Sequence, residues 1–448
     1  MESLHDGQGA DHGDLPTAHQ HDHSWLDAGL IFRAFALAFS VKRIAVAFIA
    51  LVATGIFGFA LDAVWPSSNQ VAYQTTPTGI VAEPELLRLG MPLERTVDGE
   101  VVALPRMGNF AFLVDELRYA EDGVTGGVRG WSLTAIATGS RRAASAALWL
   151  ALHRTSYAVI LFLGVAAIWS IASVVLARSV ALAFTRDDDI AWSQIRGIAR
   201  LRALDVYLAK LIPLAVVLVG SAALALCGLL AAIPVIGELL YVVGFLPLIV
   251  GGGILMALAV VVGGAAFPLM AYPVVVDGMD CADAAAAACS YVIRRPARYA
   301  FYLLVALIGG AILLTVLKLL VMLGLSLAGN AVASTMSLDD VVLSTDSAEA
   351  SIAKPAAIWT PPSMDGSSPF YGTISDRPVS GWLGLVRSLI RLALMSVWAL
   401  LAAVIVAYGY AAAGASYLLL RRSVDRADIT ELPLENADKD DSSEMTEL

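Results

Sequence analysis

The chain has 448 residues, 58% of them hydrophobic and 15% charged, with a formal net charge of −10. Soluble domains carry about 25% charged residues; here the deficit lies in apolar runs of about 20 residues or more, long enough to cross a bilayer, which excludes an ordinary soluble protein. Much of the acid gathers in the two tails, which excludes the basic face that a nucleic-acid partner needs.

Residues 1–24 read as a disordered His/Asp-rich cytoplasmic tail. Five of the six histidines fall here, and His19, His21 and His23 stand close enough to share one Zn or Ni ion. The plainer reading is a solvated leader, because a metal transporter needs ligands inside its spans and the sequence has no intramembrane His pair. No cofactor is expected. The polar start leaves no cleavable signal peptide, so the first span is expected to act as its own anchor. In segment 25–65, Trp25 to Arg43 is amphipathic and predicts a helix at the membrane interface. The first span follows, from about Ile44 to Trp65, and Pro66 closes it.

Segment 66–155 is expected to be an extracytoplasmic loop or small domain. Asp98-Gly99 predicts a hairpin over 96–102, and Phe110 to Tyr119 predicts a short helix. A core bundle is expected over 156–327. Its first span, about Ser156 to Ala181, continues a helix that begins near Arg141, and the next covers about Val206 to Ile233. Residues 239–276 are apolar throughout, too short for two crossings with a turn. Pro234, Gly237 and Pro247 interrupt their start. The reading is a broken, re-entrant or interfacial segment over 234–252, then one crossing from about Gly252 to Val276. A further span runs from about Tyr299 to Leu327. Segment 328–381, rich in Ser, Asp, Pro and Thr, is expected to be an extracytoplasmic flexible loop. The last helix occupies 382–420, and 421–448 is an acidic cytoplasmic tail.

Short cytoplasmic loops retain Lys and Arg. Arg186, Arg196, Arg200 and Arg202 occupy one such loop, and Arg294, Arg295 and Arg298 another. Lys42 and Arg43 precede the first span, and Arg421 and Arg422 follow the last. Six crossings with both termini cytoplasmic satisfy this pattern, and seven do not. The fold class is therefore an all-α membrane protein: a polytopic bundle of about six transmembrane helices with cytoplasmic amphipathic helices, expected in a bacterial inner membrane.

The two short arginine loops also echo each other. Asp189 leads through an amphipathic stretch to Arg200, Arg202 and Tyr207; Asp280 leads through an alanine-rich stretch to Arg294, Arg295 and Tyr299. An acid first and a base last suits the helix dipole, and Asp280 suits an N-cap. A fainter copy runs from Asp27 to Arg43. The unit is a short cytoplasmic helix feeding a transmembrane helix. Pro268-Leu-Met-Ala-Tyr-Pro273, Asp277-Gly-Met-Asp280, Ser290-Tyr291-Val292 and Arg295-Pro296-Ala-Arg298-Tyr299 resemble a signature of uncharacterised bacterial multi-pass membrane proteins. These are loosely similar to the membrane domain fused to some glycerophosphodiester phosphodiesterases. The resemblance covers about 180–330 and implies an all-helical membrane fold. No soluble stretch is long enough for the phosphodiesterase barrel, so it implies no enzymatic activity.

Charged residues deep in spans are functional candidates by default. Lys318 and Glu238 qualify, and a pair between them would offset both charges. The functional reading is an ion or substrate path under the broken segment; the bland one is a structural pair or a snorkelling lysine. Arg387 and Arg391, four apart on one helix face, are candidates for lipid phosphate or for simple snorkelling. Gly251-Gly252-Gly253, Gly263-Gly264 and Gly309-Gly310 are expected to let helices approach closely. Cys281 and Cys289 fall in an expected cytoplasmic loop, so no disulfide framework follows. No serine nucleophile elbow, phosphate loop or HExxH occurs. The sequence thus points to a non-enzymatic membrane protein that organises the membrane or supports a partner, with transport through 234–252 as the alternative. Expected partners are membrane lipids and a protein or second copy, with no nucleic acid.

Overall fold

The computed structural model describes residues 29–76, 79–88, 94–97, 100–185, 192–231, 233, 237, 241–336, 340–345, 348–353, 359–362 and 382–426. Among the described residues, six helices are long and apolar enough to cross a membrane, with spans Val41–Val64, Thr155–Thr185, Ala199–Leu229, Leu248–Ala266, Pro296–Val332 and Gly384–Asp425. The chain is a polytopic helical bundle, as its apolar runs require.

Helix α1 (Gly29–Ala38) breaks at Phe39 and Ser40 before α2 (Val41–Val64). A small unit of strands and a short helix follows. Strand β1 (Val71–Thr76) pairs antiparallel with β2 (Gly79–Ala82) and with β5 (Arg106–Met107). Between them lie α3 (Glu83–Arg88) and the hairpin β3 (Glu94–Val97) and β4 (Glu100–Ala103). Val97 pairs with Glu100, as the hairpin expected over 96–102 requires; Asp98 and Gly99 themselves lie outside the described residues.

Two helices longer than those expected from Phe110 and from near Arg141 come next, α4 (Asn109–Arg129) and α5 (Leu133–His153), which pack as a helical hairpin. The expected short helix therefore runs ten residues beyond Tyr119. Small residues make the close packing: a Cβ on Gly123 would lie 3.0 Å from the Ala135 carbonyl, and one on Gly127 2.8 Å from that of Ser132. Helix α5 does not continue into the next span. It ends at His153, and Arg154 turns away from helical geometry before α6 (Thr155–Thr185). Arg154 instead reaches Glu83, at 3.5 Å, and lies over the Trp149 ring.

Helix α7 (Trp192–Ala231) is continuous through its arginines. A single π turn at Tyr241–Phe245 precedes α8 (Leu246–Ala266). The crossing expected to reach Val276 stops ten residues earlier. Residues 267–270 form a turn containing Pro268, before the short α9 (Ala271–Val276); proline lacks the N–H that continuing a helix would use. Helix α10 (Cys281–Arg294) is capped by the Asp280 carboxylate, which accepts from the Asp283 N–H at 2.8 Å. It breaks at Arg295, and α11 (Pro296–Met336) starts with proline where a helix tolerates it. The expected repeat is thus present before α2 and α11, whereas in α7 the feeder and the span are one helix. Helix α11 enters the stretch read as a flexible loop and continues to Met336; β6 (Asp340–Thr345) and β7 (Ala348–Ala353) then form a hairpin. Helix α12 (Trp382–Asp425) is the last span.

The ends of α1, α6 and α12, the start of α2, and α9 and α10 meet on one side of the bundle, here the arginine-rich side. The α4–α5 hairpin lies at the other. The main core sits toward the arginine-rich side and includes Val180, Met270, Tyr272, Ala411 and Tyr417. Gly414 is required there, since a Cβ would fall 2.6 Å from Val180 and 3.0 Å from the Tyr272 ring.

Candidate functional site

Among the described residues, three polar clusters lie within the bundle, and each joins helices distant in sequence. The first spans the arginine-rich side. Arg43, 4% exposed, donates to the carbonyls of Leu37 at 2.9 Å and Ser179 at 3.2 Å. It thereby occupies an acceptor freed where α1 ends. Arg178 donates to the Val275 carbonyl at 2.9 Å, satisfying an end of α9 in the same way. Arg421 pairs with Asp277 at 3.0 Å, and Tyr417 donates to the same carboxylate. Tyr291 donates to Asp425, and Tyr272 to the Tyr410 carbonyl. Burial pushes the Asp277 carboxyl above its ordinary range, while the Tyr417 hydrogen bond and the Arg421 charge pull it back.

The second cluster is deeper. Lys210 on α7, 6% exposed, donates to Ser173 Oγ on α6 and lies 5.6 Å from the centre of the Phe267 ring. Ser173 Oγ is hydrogen-bonded to Tyr410 on α12 and donates to the Trp169 carbonyl. A charge inside the apolar run starting at Val206 is a signal that should have marked Lys210; the sequence reading passed over it.

The third cluster fastens the α4–α5 hairpin. Lys318 of α11 lies 2.5 Å from Asp122 and 3.2 Å from Glu121, both on α4. Glu121 also accepts from Trp398 Nε1 at 2.7 Å, and Arg118 lies over the Trp398 ring at 5.2 Å. At the hairpin's start, Asp62 of α2 accepts from the N–H groups of Phe110, at 3.0 Å, and Ala111, at 3.1 Å. A carboxylate at a helix N-terminus satisfies otherwise unpaired donors. Tyr157 donates to the same carboxylate at 2.6 Å. Within the hairpin, Arg142 grips Glu116 at 2.6 Å. Arg142 is held above its ordinary range chiefly by that hydrogen bond.

The sequence candidates divide accordingly. Lys318 is buried, and it finds carboxylates that sequence reading did not offer it. Glu238 lies outside the described residues, as do His19, His21 and His23. Arg387 and Arg391 occupy the hairpin-side turns of α12, four apart as expected, and both already interact with other groups of the protein. Of the glycine pairs, Gly309 and Gly310 seat the Tyr408 ring: a Cβ on Gly309 would lie 2.4 Å from the Tyr408 hydroxyl. Gly263 seats Pro213 and Gly252 meets Leu224, whereas Gly251, Gly253 and Gly264 meet nothing within 4 Å.

Beside these clusters lies a cavity of about 690 Å³ between α11 and α12. Its lining is almost wholly apolar. Val124 and Ile136 of the hairpin stand at one end, and Pro268 and Leu269 at the other. Comparisons of the chain with protein-family profiles, curated proteins and solved structures return no match.

Proposed function

We propose that the protein is a non-enzymatic multi-pass membrane protein that organises the surrounding membrane or supports a protein partner. In this reading both termini are cytoplasmic and the membrane is a bacterial inner membrane. One observation carries it: the charges buried in the bundle are engaged by the protein's own groups. Arg43 and Arg178 are spent on backbone carbonyls, Arg421 on Asp277, Lys210 on Ser173, and Lys318 on Glu121 and Asp122. A conducting path presents such groups to water or to a passing ion; here they join helix to helix. The π turn at Tyr241–Phe245 keeps a second reading in view, transport of an ion or small solute through 234–252, because such turns recur at functional sites.

Two measurements separate the readings. The Lys318→Cys variant in proteoliposomes is expected to resist a water-soluble thiol reagent, and the wild-type protein to pass no solute. Saturable flux that labelling blocks would establish transport. Native mass spectrometry from nanodiscs is expected to retain a second polypeptide, another copy included. Reporters fused after Val276 and Leu327 should report cytoplasm and exterior, respectively.

A further inference from the structure

We infer that the cavity between α11 and α12 is a binding groove for one acyl chain of a membrane phospholipid, with its headgroup at the hairpin rim. The inference rests on the membrane-organising reading and names the lipid contact through which it acts.

Both walls belong to membrane spans. Along α11 the lining runs from Tyr299 to Leu314, which at about 1.5 Å per residue is about 22 Å of groove. That exceeds one leaflet of a hydrocarbon core about 30 Å thick, so a chain entering from one face fits lengthwise. The volume of about 690 Å³ lies within the usual range for ligand sites, about 300–1,000 Å³. Small residues hollow out the far wall: Gly409 lines the groove, and a Cβ there would meet nothing within 4 Å.

The lining decides what fills this space. Water needs two to four polar partners to stay in a cavity, and this lining offers few. Left empty, the walls forfeit dispersion contacts on one side. The aliphatic chains of the bilayer are the material at hand, and they restore those contacts without asking for a hydrogen bond.

The polarity runs the right way for an amphiphile. Its apolar length ends under Val124 of α4, and the next turn of α11 carries Lys318 with Glu121 and Asp122. Six residues before Val124, Arg118 meets the exposed Asp115 only at 3.9 Å, and its Nε is buried with no hydrogen-bond partner. A lipid phosphate at this rim would pair with the outer nitrogens of the part-exposed Arg118 guanidinium.

The test uses the full-length protein in nanodiscs of phosphatidylethanolamine and phosphatidylglycerol, doped with a phospholipid bearing a diazirine midway along one acyl chain. After irradiation, label is expected to concentrate on residues 303–314 and 405–413, above the level on the lipid-facing surface of α8. The Gly409→Trp variant, which fills the groove, should lose that label severalfold while α8 labelling and the thermal midpoint stay unchanged. Gly409→Leu gives the same comparison if the larger side chain prevents folding. Label that follows exposed apolar area, and is indifferent to both variants, would mean surrounding lipid only and overturn the groove. Neither outcome bears on the flux assay, so failure of the groove and failure of the membrane-organising reading are separately visible.

Discussion

The arginine-rich side and the α7–α8 pair are held together by different forces. On the arginine-rich side, α2, α6, α9 and α12 are joined by directional bonds: Arg43 and Arg178 to carbonyls, Arg421 and Tyr417 to Asp277, Tyr272 to a carbonyl. The α7–α8 contact relies on shape. Pro213 sits against Gly263, Leu224 against Gly252, and Met256 against Gly220. Lipid tails are as apolar as leucine, so burial drives no association between helices there; packing and hydrogen bonds do. One region therefore has bonds that specify a single arrangement, and the other, among the described residues, is held by the fit of its surfaces.

Removing a bond should cost most where bonds do the holding. Arg421→Ala leaves the Asp277 carboxylate, about 10% exposed, with the Tyr417 hydroxyl but no opposite charge, and loss of one member of a buried pair typically costs about 3–5 kcal/mol. A large drop in the thermal midpoint in detergent is expected, with Arg421→Lys recovering part of it. An unchanged midpoint would show that the pair is ornamental.

In the α7–α8 pair, the sensitive change is added volume. A Cβ on Gly263 would lie 2.7 Å from Pro213, so Gly263→Leu overpacks the contact, at about 1–3 kcal/mol. Cysteine crosslinking between α7 and α8 is expected to weaken while protection of the Arg178 and Arg421 region persists. Loss of protection in both would mean that the two regions unfold as one unit.

Lys210 belongs to α7 but is tied to the polar half through Ser173. Its partners are neutral, so Lys210→Met removes a buried charge without orphaning another. Such exchanges are often neutral or stabilising, and a midpoint shift within about 1 kcal/mol is expected. A loss of several kcal/mol would make the Lys210–Ser173–Tyr410 chain a principal tie of the bundle.

The smallest effect is on pH dependence. Asp277 is held above its ordinary range by burial, so its contribution to stability is fully present below the unfolded carboxyl's pKa. It is lost as pH rises through the higher folded value. Between about pH 7 and about pH 5 the wild type should therefore gain slightly relative to Asp277→Asn. A relative loss on acidification would show that the Arg421 charge, not burial, controls this carboxyl.

The spans were legible because each is a long apolar run, but several ends were not: α11 continues to Met336 and α12 passes through Arg421 and Arg422 to Asp425. The β3–β4 pairing and the Asp280 cap were legible because short local patterns answer a single backbone need. The α4–α5 hairpin was not. Gly123, Gly126 and Gly127 look like helix breakers in sequence, yet Gly123 and Gly127 are where the two helices touch. Nor could sequence assign Lys318 its carboxylates, which lie 196 residues away for Asp122. The crossing through α8 begins at Leu246, six residues before the expected Gly252, and the expectation carried it past Pro268, because an apolar sequence continues where the helix does not.

The spans are also unequal. That of α8 covers 19 residues and that of α11 covers 37, or about 28 Å and about 55 Å of helix. A bilayer has one thickness at a given point, so the longer helix must lean or emerge. A 19-residue span matches a hydrocarbon core almost upright, whereas one of 37 residues reaches well beyond it, so the two helices would meet the same bilayer at different tilts or depths.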